Sequence, residues 1–326
     1  MPPTHRRSWT RSTVRRGALS AAAAVACLVA GAATSFSAPR GTAVDLAIAD
    51  VPLQVSPGKS GVQKLIVSNA GARPTTGPAL VSYATPAYTN IDRGRPLPRG
   101  CKIAYANPDP VVPEVVVCRL PAGLAKGRDT TLAVPVVVTE RARLTGTIRG
   151  RSSVLPAPES KDTESDANNN WTLARLNLTR PTPAPPAGNR VGLWIAQSDA
   201  VVEQDGTAEL ELRYGNVGPN ASDSTVVVFT TPLLTKVDTE GGLPDGCAFE
   251  LDDKTPGIPQ IVRCTLDGQD VEEDDSLTVP LVAQPGVPKG MTAGSLLVAP
   301  AKPCDVDTDQ TDNLTVAVVR VPSRAS

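Results

Sequence analysis

Leu97-Pro98-Arg99-Gly100-Cys101 returns as Leu243-Pro244-Asp245-Gly246-Cys247, and in each copy a second cysteine, Cys118 or Cys264, follows after sixteen intervening residues. The second pair lies 146 residues beyond the first. Such agreement in flank and interval marks a tandem duplication. Cys101 opens Cys101-Lys102-Ile103-Ala104-Tyr105, and Cys118 closes Val115-Val116-Val117-Cys118. Between them Asn107-Pro108-Asp109-Pro110 is turn chemistry, as is Lys254-Thr255-Pro256-Gly257 in the second copy. The expectation is a hairpin in each copy, clipped by the bridges Cys101–Cys118 and Cys247–Cys264. An antibody domain instead bridges two sheets across a longer interval and packs the bridge on a tryptophan; no tryptophan stands between these cysteines. A zinc reading fits poorly, because zinc sites draw cysteines in close pairs and the one histidine is His5. Cys304 has no counterpart in the first copy. It is a candidate free thiol, an intermolecular bridge, or a partner that reshuffles the simple pairing.

The two copies align well beyond the cysteines. Val44-Asp45-Leu46-Ala47-Ile48 answers Val191-Gly192-Leu193-Trp194-Ile195, Asn69-Ala70-Gly71 answers Asn216-Val217-Gly218, and Val134-Pro135 answers Val279-Pro280. Between them, Arg180-Pro181-Thr182-Pro183-Ala184-Pro185-Pro186-Ala187-Gly188 favours extended polyproline conformation. The expected organisation is a first unit at 44–179, a proline-rich linker at 180–190 and a second unit at 191–321. Apolar residues come in short β-branched runs such as Val115-Val116-Val117 and Val226-Val227-Val228-Phe229. Elsewhere Leu210, Leu212 and Tyr214 alternate with Glu209, Glu211 and Arg213, the period of a strand with one wet face. With 32 prolines and 26 glycines, long helices are not expected. Each unit therefore reads as seven or eight short antiparallel strands in an all-β sandwich, large enough for a core of its own. Trp171 and Trp194, on either side of the linker, read as core residues of their own units, with an inter-domain contact as the alternative.

Residues 1–38 read as a secretory signal peptide. Arg6, Arg7, Arg11, Arg15 and Arg16 form a basic leader, and an apolar run from Ala18 to Ala33 follows. The run is too short for a confident membrane span, so no stable span is expected after cleavage. An exported chain meets conditions in which disulfides persist.

An Asn-x-Gly turn, a Leu-Pro-x-Gly-Cys segment, a second cysteine closing the next strand and a late Asp/Asn-rich turn are the motifs that carry a resemblance. With them the chain resembles bacterial extracellular repeats of the DUF11 and CARDB type, over residues 44–179 and 191–321. The resemblance implies two tandem immunoglobulin-like domains in a secreted or cell-surface protein and brings no catalytic residues. The end, Arg320-Val321-Pro322-Ser323-Arg324-Ala325-Ser326, has no apolar tail. Release or loose association with the cell wall is expected over covalent anchoring.

Several chemistries find no support. Without a histidine after the leader, Ser-His-Asp and Cys-His catalysis and histidine-ligated metals are excluded. No Gly-x-Ser-x-Gly elbow is present, and no carboxylate pair is singled out for acid–base work. Eight aromatic residues beyond the leader must serve two cores, which leaves none for stacking on nucleic acid. The chain is expected not to be an enzyme. Asp305, Asp307, Asp309 and Asp312 form a closely spaced acidic run that suits calcium, the one candidate cofactor; the alternative is a solvated turn whose Asp and Asn side chains cap local backbone groups. The run lacks the glycine and glutamate of an EF-hand, and the first copy's Asp162, Glu164 and Asp166 are similarly acidic.

Charge divides the copies. Residues 44–179 carry 16 basic and 11 acidic side chains, whereas residues 191–326 carry 8 and 22. Arg93, Arg95, Arg99 and Lys102 cluster before and after the first cysteine. Such asymmetry can steer association: the basic copy would face an anionic cell-wall polymer, or an unidentified protein, while the acidic copy stays solvated; the alternative is solubility alone, with neutral drift between the copies. The expected function is extracellular binding or adhesion. A structural spacer of the envelope and an accessory module of an extracellular enzyme are the alternatives.

Overall fold

A computed structural model describes residues 43–142, 146–179, 187–240, 242–302 and 304–322. Residues 1–38, read above as a signal peptide, and most of 180–190, read as a linker, lie outside these. Among the described residues there are 24 strands and one short 3-10 turn, Ala167–Asn169. The first half contains β1 (Ala43–Val44), β2 (Leu46–Val51), β3 (Leu53–Val55), β4 (Ser60–Asn69), β5 (Ala79–Ala84) and β6 (Thr89–Ile91). It continues with β7 (Cys101–Tyr105), β8 (Val115–Leu120), β9 (Asp129–Val138), β10 (Gly146–Pro156), β11 (Thr163–Glu164) and β12 (Trp171–Leu178). The second half repeats them one for one. It has β13 (Asn189–Val191), β14 (Leu193–Ile195), β15 (Ser198–Val201), β16 (Thr207–Asn216), β17 (Ser224–Thr230) and β18 (Thr235–Val237). It ends with β19 (Cys247–Leu251), β20 (Ile261–Asp267), β21 (Glu273–Ala283), β22 (Gly290–Pro300), β23 (Asp305–Asp307) and β24 (Leu314–Val321).

In the first half a six-stranded sheet, β3-β12-β10-β5-β8-β7, faces a four-stranded one, β2-β4-β9-β6. The second half has the same orders twelve labels on: β15-β24-β22-β17-β20-β19 and β14-β16-β21-β18. No sheet is shared between halves. The pairing is not wholly antiparallel. β1 runs parallel to β11 and β3 parallel to β12, and β13–β23 and β15–β24 repeat this. The opening segment of each half changes sheets, β2 pairing with β4 and β3 with the last strand. That bend makes short strands which no run of alternation announces.

The hydrophobic pattern follows the layers. In β16, Leu210 and Leu212 are buried while Glu209, Glu211 and Arg213 are exposed, as an outer sheet with one wet face requires. In β8 and β17 nearly every residue is buried. A strand covered on both faces reads as an unbroken apolar run. What covers the second face is the other half. Val227, Phe229, Val262, Leu296 and Val298 fill the second half's own core. Their alternate neighbours Val226, Val228, Ile261, Leu297 and Ala299 belong to one buried cluster with the core of the first half. Burying each such valine, leucine or isoleucine is worth about 1.5–3 kcal/mol. The two six-stranded sheets thus stack face to face, giving four layers in one compact unit.

Trp171 belongs to this junction, not to its own half's core. It packs beside Leu155 of the first half and Leu233 and Leu234 of the second. Polar contacts reinforce the seam. Arg263 Nη1 donates to Asp109 Oδ2 at 3.1 Å, and Tyr105 OH donates to Glu250 Oε2 at 2.6 Å.

Candidate functional site

The two cysteine pairs sit in directly opposed register, Cys101 against Cys118 on β7–β8 and Cys247 against Cys264 on β19–β20. Both are disulfide-bonded, with Cα atoms 3.9 Å apart in each. The Gly100 and Gly246 of the shared segments take positive φ, 81° and 76°, just before the strand. A Cβ at either would lie 2.6 or 2.5 Å from a backbone oxygen of the facing strand. The bridges are structural clips at the outer edge of each inner sheet. Cys304 is free and exposed.

The Asn-x-Gly turns perform one task in both halves. Asn69 and Asn216 are fully buried. Asn69 Oδ1 accepts from Gly71 N at 3.0 Å, and its Nδ2 donates to Arg73 O at 2.6 Å and Leu124 O at 2.9 Å. Asn216 Oδ1 accepts from Gly218 N and Gly192 N, and its Nδ2 donates to Asn220 O and Gln269 O.

The acidic run is dispersed into local roles. Asp305 accepts from Asn189 Nδ2 at 2.8 Å and Asp223 N at 3.0 Å, and Asp309 accepts from Thr311 N at 2.9 Å. Asp307 is buried and accepts from Asn313 Nδ2 at 2.7 Å and Asp309 N at 3.0 Å. Burial pushes its carboxyl up to about 6, against these hydrogen bonds, and the charge of Asp312 adds to the shift. The first half repeats the arrangement. Glu164 Oε2 accepts from Asn170 Nδ2 at 3.1 Å and Leu46 N at 3.2 Å, and burial raises its pKa too. Among the described residues, the one group of three acidic or thiol side chains near enough to share a cation is Asp223, Cys304 and Asp305. Lys302 Nζ already stands 3.0 Å from Asp223. Asp307, Asp309 and Asp312 are not brought to that group.

The basic cluster is divided. Arg93 pairs with Glu114, whose side chain is wholly buried, and Glu114 Oε2 accepts from Ile91 N at 2.6 Å. The matching residue in the acidic half is Gln260, whose Oε1 accepts from Val237 N at 2.7 Å. A charge stands at this position only in the half that supplies an arginine for it. Arg95 pairs with Asp92 at 3.5 Å. Arg99 and Lys102 are exposed in the turn and on edge strand β7. Arg93 and Arg141 line one open groove of about 610 Å³, with Asn90, Thr139, Pro108 and Pro110. Asn90 Oδ1 and Thr139 Oγ1 have no protein partner there. Arg141 stands 3.9 Å from Asp109 and is largely exposed. Arg95, Arg99 and Lys102 do not line the groove. The groove and Arg141 were beyond sequence reasoning, because the turn after β9 returns to β6 only in three dimensions.

No family model matches the chain, and no curated protein matches it. Among solved structures, a protein of unknown function from Porphyromonas gingivalis W83 is 15% identical over 85% of this chain and 99% of that one, with a TM-score of 0.28. Escherichia coli alpha-2-macroglobulin activated by porcine elastase is 13% identical over 87% of this chain and 22% of that one, with a TM-score of 0.25. Likeness at that level carries no functional argument.

Proposed function

We propose that this chain is an exported, non-enzymatic binding protein built of two immunoglobulin-like sandwiches. In this reading residues 1–38 are removed on export, and the basic half takes an anionic polymer of the cell wall. The two disulfides suit an oxidising compartment, and no helix among the described residues is long and apolar enough to cross a membrane. The observation that carries the binding reading is the groove holding Arg93 and Arg141 on the half whose charge is positive. Arg93 is partly committed to Glu114, so Arg141 supplies the freer guanidinium, with exposed Arg99 and Lys102 adding to the field. A planar guanidinium suits phosphate and carboxylate groups. The stacking of the halves favours this reading over a spacer, since a spacer gains reach from units set end to end.

The test is titration with poly(glycerol phosphate) as the probe. Binding should saturate, weaken as salt rises, and fall at least fivefold in Arg141→Ser. Arg93→Ser is a poor probe, because it strands the buried Glu114 carboxylate. Absent binding, or binding indifferent to both salt and Arg141, rejects the reading.

A further inference from the structure

The seam between the halves buries two cations, and no acid is placed against the first of them, Arg151. Arg151 on β10 is 1% exposed and is among the largest fully buried side chains. A guanidinium carries five N–H donors. Only Nη2 of Arg151 has a partner, the carbonyl oxygen of Gly257 at 3.3 Å. That oxygen already accepts from Ser82 Oγ at 2.7 Å and Ser153 Oγ at 3.0 Å. A carbonyl has two lone pairs, so the arginine holds the weakest of three claims on it. Nε and Nη1 of Arg151 are buried with no partner at all.

The second cation grips the same turn from the other side. Lys236 on β18 is 6% exposed, and its Nζ donates to Asp253 O at 2.6 Å and Ile258 O at 2.9 Å. The two cations thus hold neighbouring carbonyls, Gly257 and Ile258. Each bears on the other: burial and then the charge of Arg151 lower the pKa of Lys236, while Asp253 and Asp252 act the other way. Nothing acidic offsets Arg151, and burial alone governs its own shift. A guanidinium stays charged at neutral pH regardless. The arrangement is absent from the mirrored position, where Ser295 takes the place of Arg151 and pairs with Thr230 Oγ1 at 2.6 Å. A buried charge is normally paired or neutralised, and an orphaned buried donor is destabilising. A donor-rich seam with surplus positive charge calls for an anion.

We propose that the seam between the two halves binds a small monovalent anion of halide size at the Nε–Nη1 edge of Arg151, with Lys236 supplying the second positive charge. The anion would complete the interface as an internal counter-ion. It is distinct from the polymer proposed for the groove, and either can fail without the other.

The test uses the whole exported chain and two probes. Crystals grown in sodium bromide should show an anomalous peak within hydrogen-bonding reach of Arg151 Nε and Nη1. The melting temperature should rise when sodium gluconate is replaced by sodium chloride at equal ionic strength. In Arg151→Met the rise should vanish while the variant still melts cooperatively, since exchanging a buried ion for an apolar side chain is often neutral or stabilising. A seam holding only water, with no anomalous peak, overturns the proposal. So does an equal chloride effect in the wild type and Arg151→Met.

Discussion

Ser82 of the first half donates its hydroxyl to the carbonyl of Gly257 in the second, 2.7 Å away and 175 residues later in the chain. The turn that closes the second cysteine hairpin is therefore seated in the inner sheet of the first. Gly257 holds φ at +87°, and a Cβ there would lie 3.0 Å from Leu155 Cδ1. Gly206 holds a similar φ, +92°, in a turn with nothing near its missing Cβ. Gly257→Ala should therefore cost more than Gly206→Ala. Both pay for the left-handed backbone, about 1–3 kcal/mol. Only the first also pushes against Leu155, and a further loss of about 1 kcal/mol or more is expected from overpacking. Urea unfolding of the two variants checks the difference, and equal losses would mean that the turn is not clamped.

Asn69→Ala and Asn216→Ala each strip a buried amide from several backbone groups, of which Leu124 O and Gln269 O keep a second donor, Thr75 N and Ser222 N. At about 1–3 kcal/mol for each stranded group, either change should cost several kcal/mol by chemical denaturation. Asn220→Ala, at an exposed residue of the same loop, should cost far less.

Asp307 gives the molecule a pH dependence of defined sign. Its carboxyl titrates near 3.9 in an unfolded chain and about 6 in the folded one. Between these values the folded state binds more protons, so stability falls as pH rises from about 4 to about 6. Comparing Asp307→Asn with wild type at pH 4 and pH 7 isolates this term. The variant should lose ground at neither pH from titration, whereas the wild type should fall relative to it by an amount on the order of 2 kcal/mol. An unchanged difference between the two pH values would show that the carboxylate is not buried as described. Because Asp305 and Asp307 are held by protein donors, melting should also be the same with calcium as with chelator.

The disulfides and the lone thiol separate cleanly by reactivity. A chain lacking residues 1–38 should take up one equivalent of maleimide without denaturant, at Cys304, and none at the four bridged cysteines. Replacing Cys101 and Cys118 together by alanine should cost about 3 kcal/mol in the chain-entropy model, and the matching pair should cost about the same. Rapid labelling of more than one cysteine would contradict the pairing.

How much of this stood in the sequence depends on distance along the chain. The cysteine interval and the turn residues within it gave the hairpin and its register, because all of that information is local. The Asn-x-Gly turns announced themselves in the same way. The contrast between the alternating Leu210, Leu212, Tyr214 and the unbroken Val226-Val227-Val228-Phe229 also encoded which sheets lie inside. It does not say what covers them, since a run of valines fits any apolar neighbour. The parallel pairing of β3 with β12 rests on three residues at each end of the first half, too few for a period to show. Nothing local in the sequence distinguishes Arg151 from an exposed arginine. Only the stacked sheets reveal that it is buried, and only their register brings it to Gly257. The acidic run from Asp305 was legible as acidity. Its division into separate hydrogen-bonding tasks depended on Asn189, Asp223 and Asn313, two of them remote in sequence.

Everything proposed about the seam, and the preference for a binder over a spacer, rests on the halves forming one body. Small-angle X-ray scattering of the chain lacking residues 1–38 tests this directly. A single stacked body of this length should give a radius of gyration near 19 Å, by the scaling for compact chains, and a distance distribution with one peak. A two-peaked distribution, with a markedly larger radius, would show two separate beads on the proline-rich segment and contradict the account.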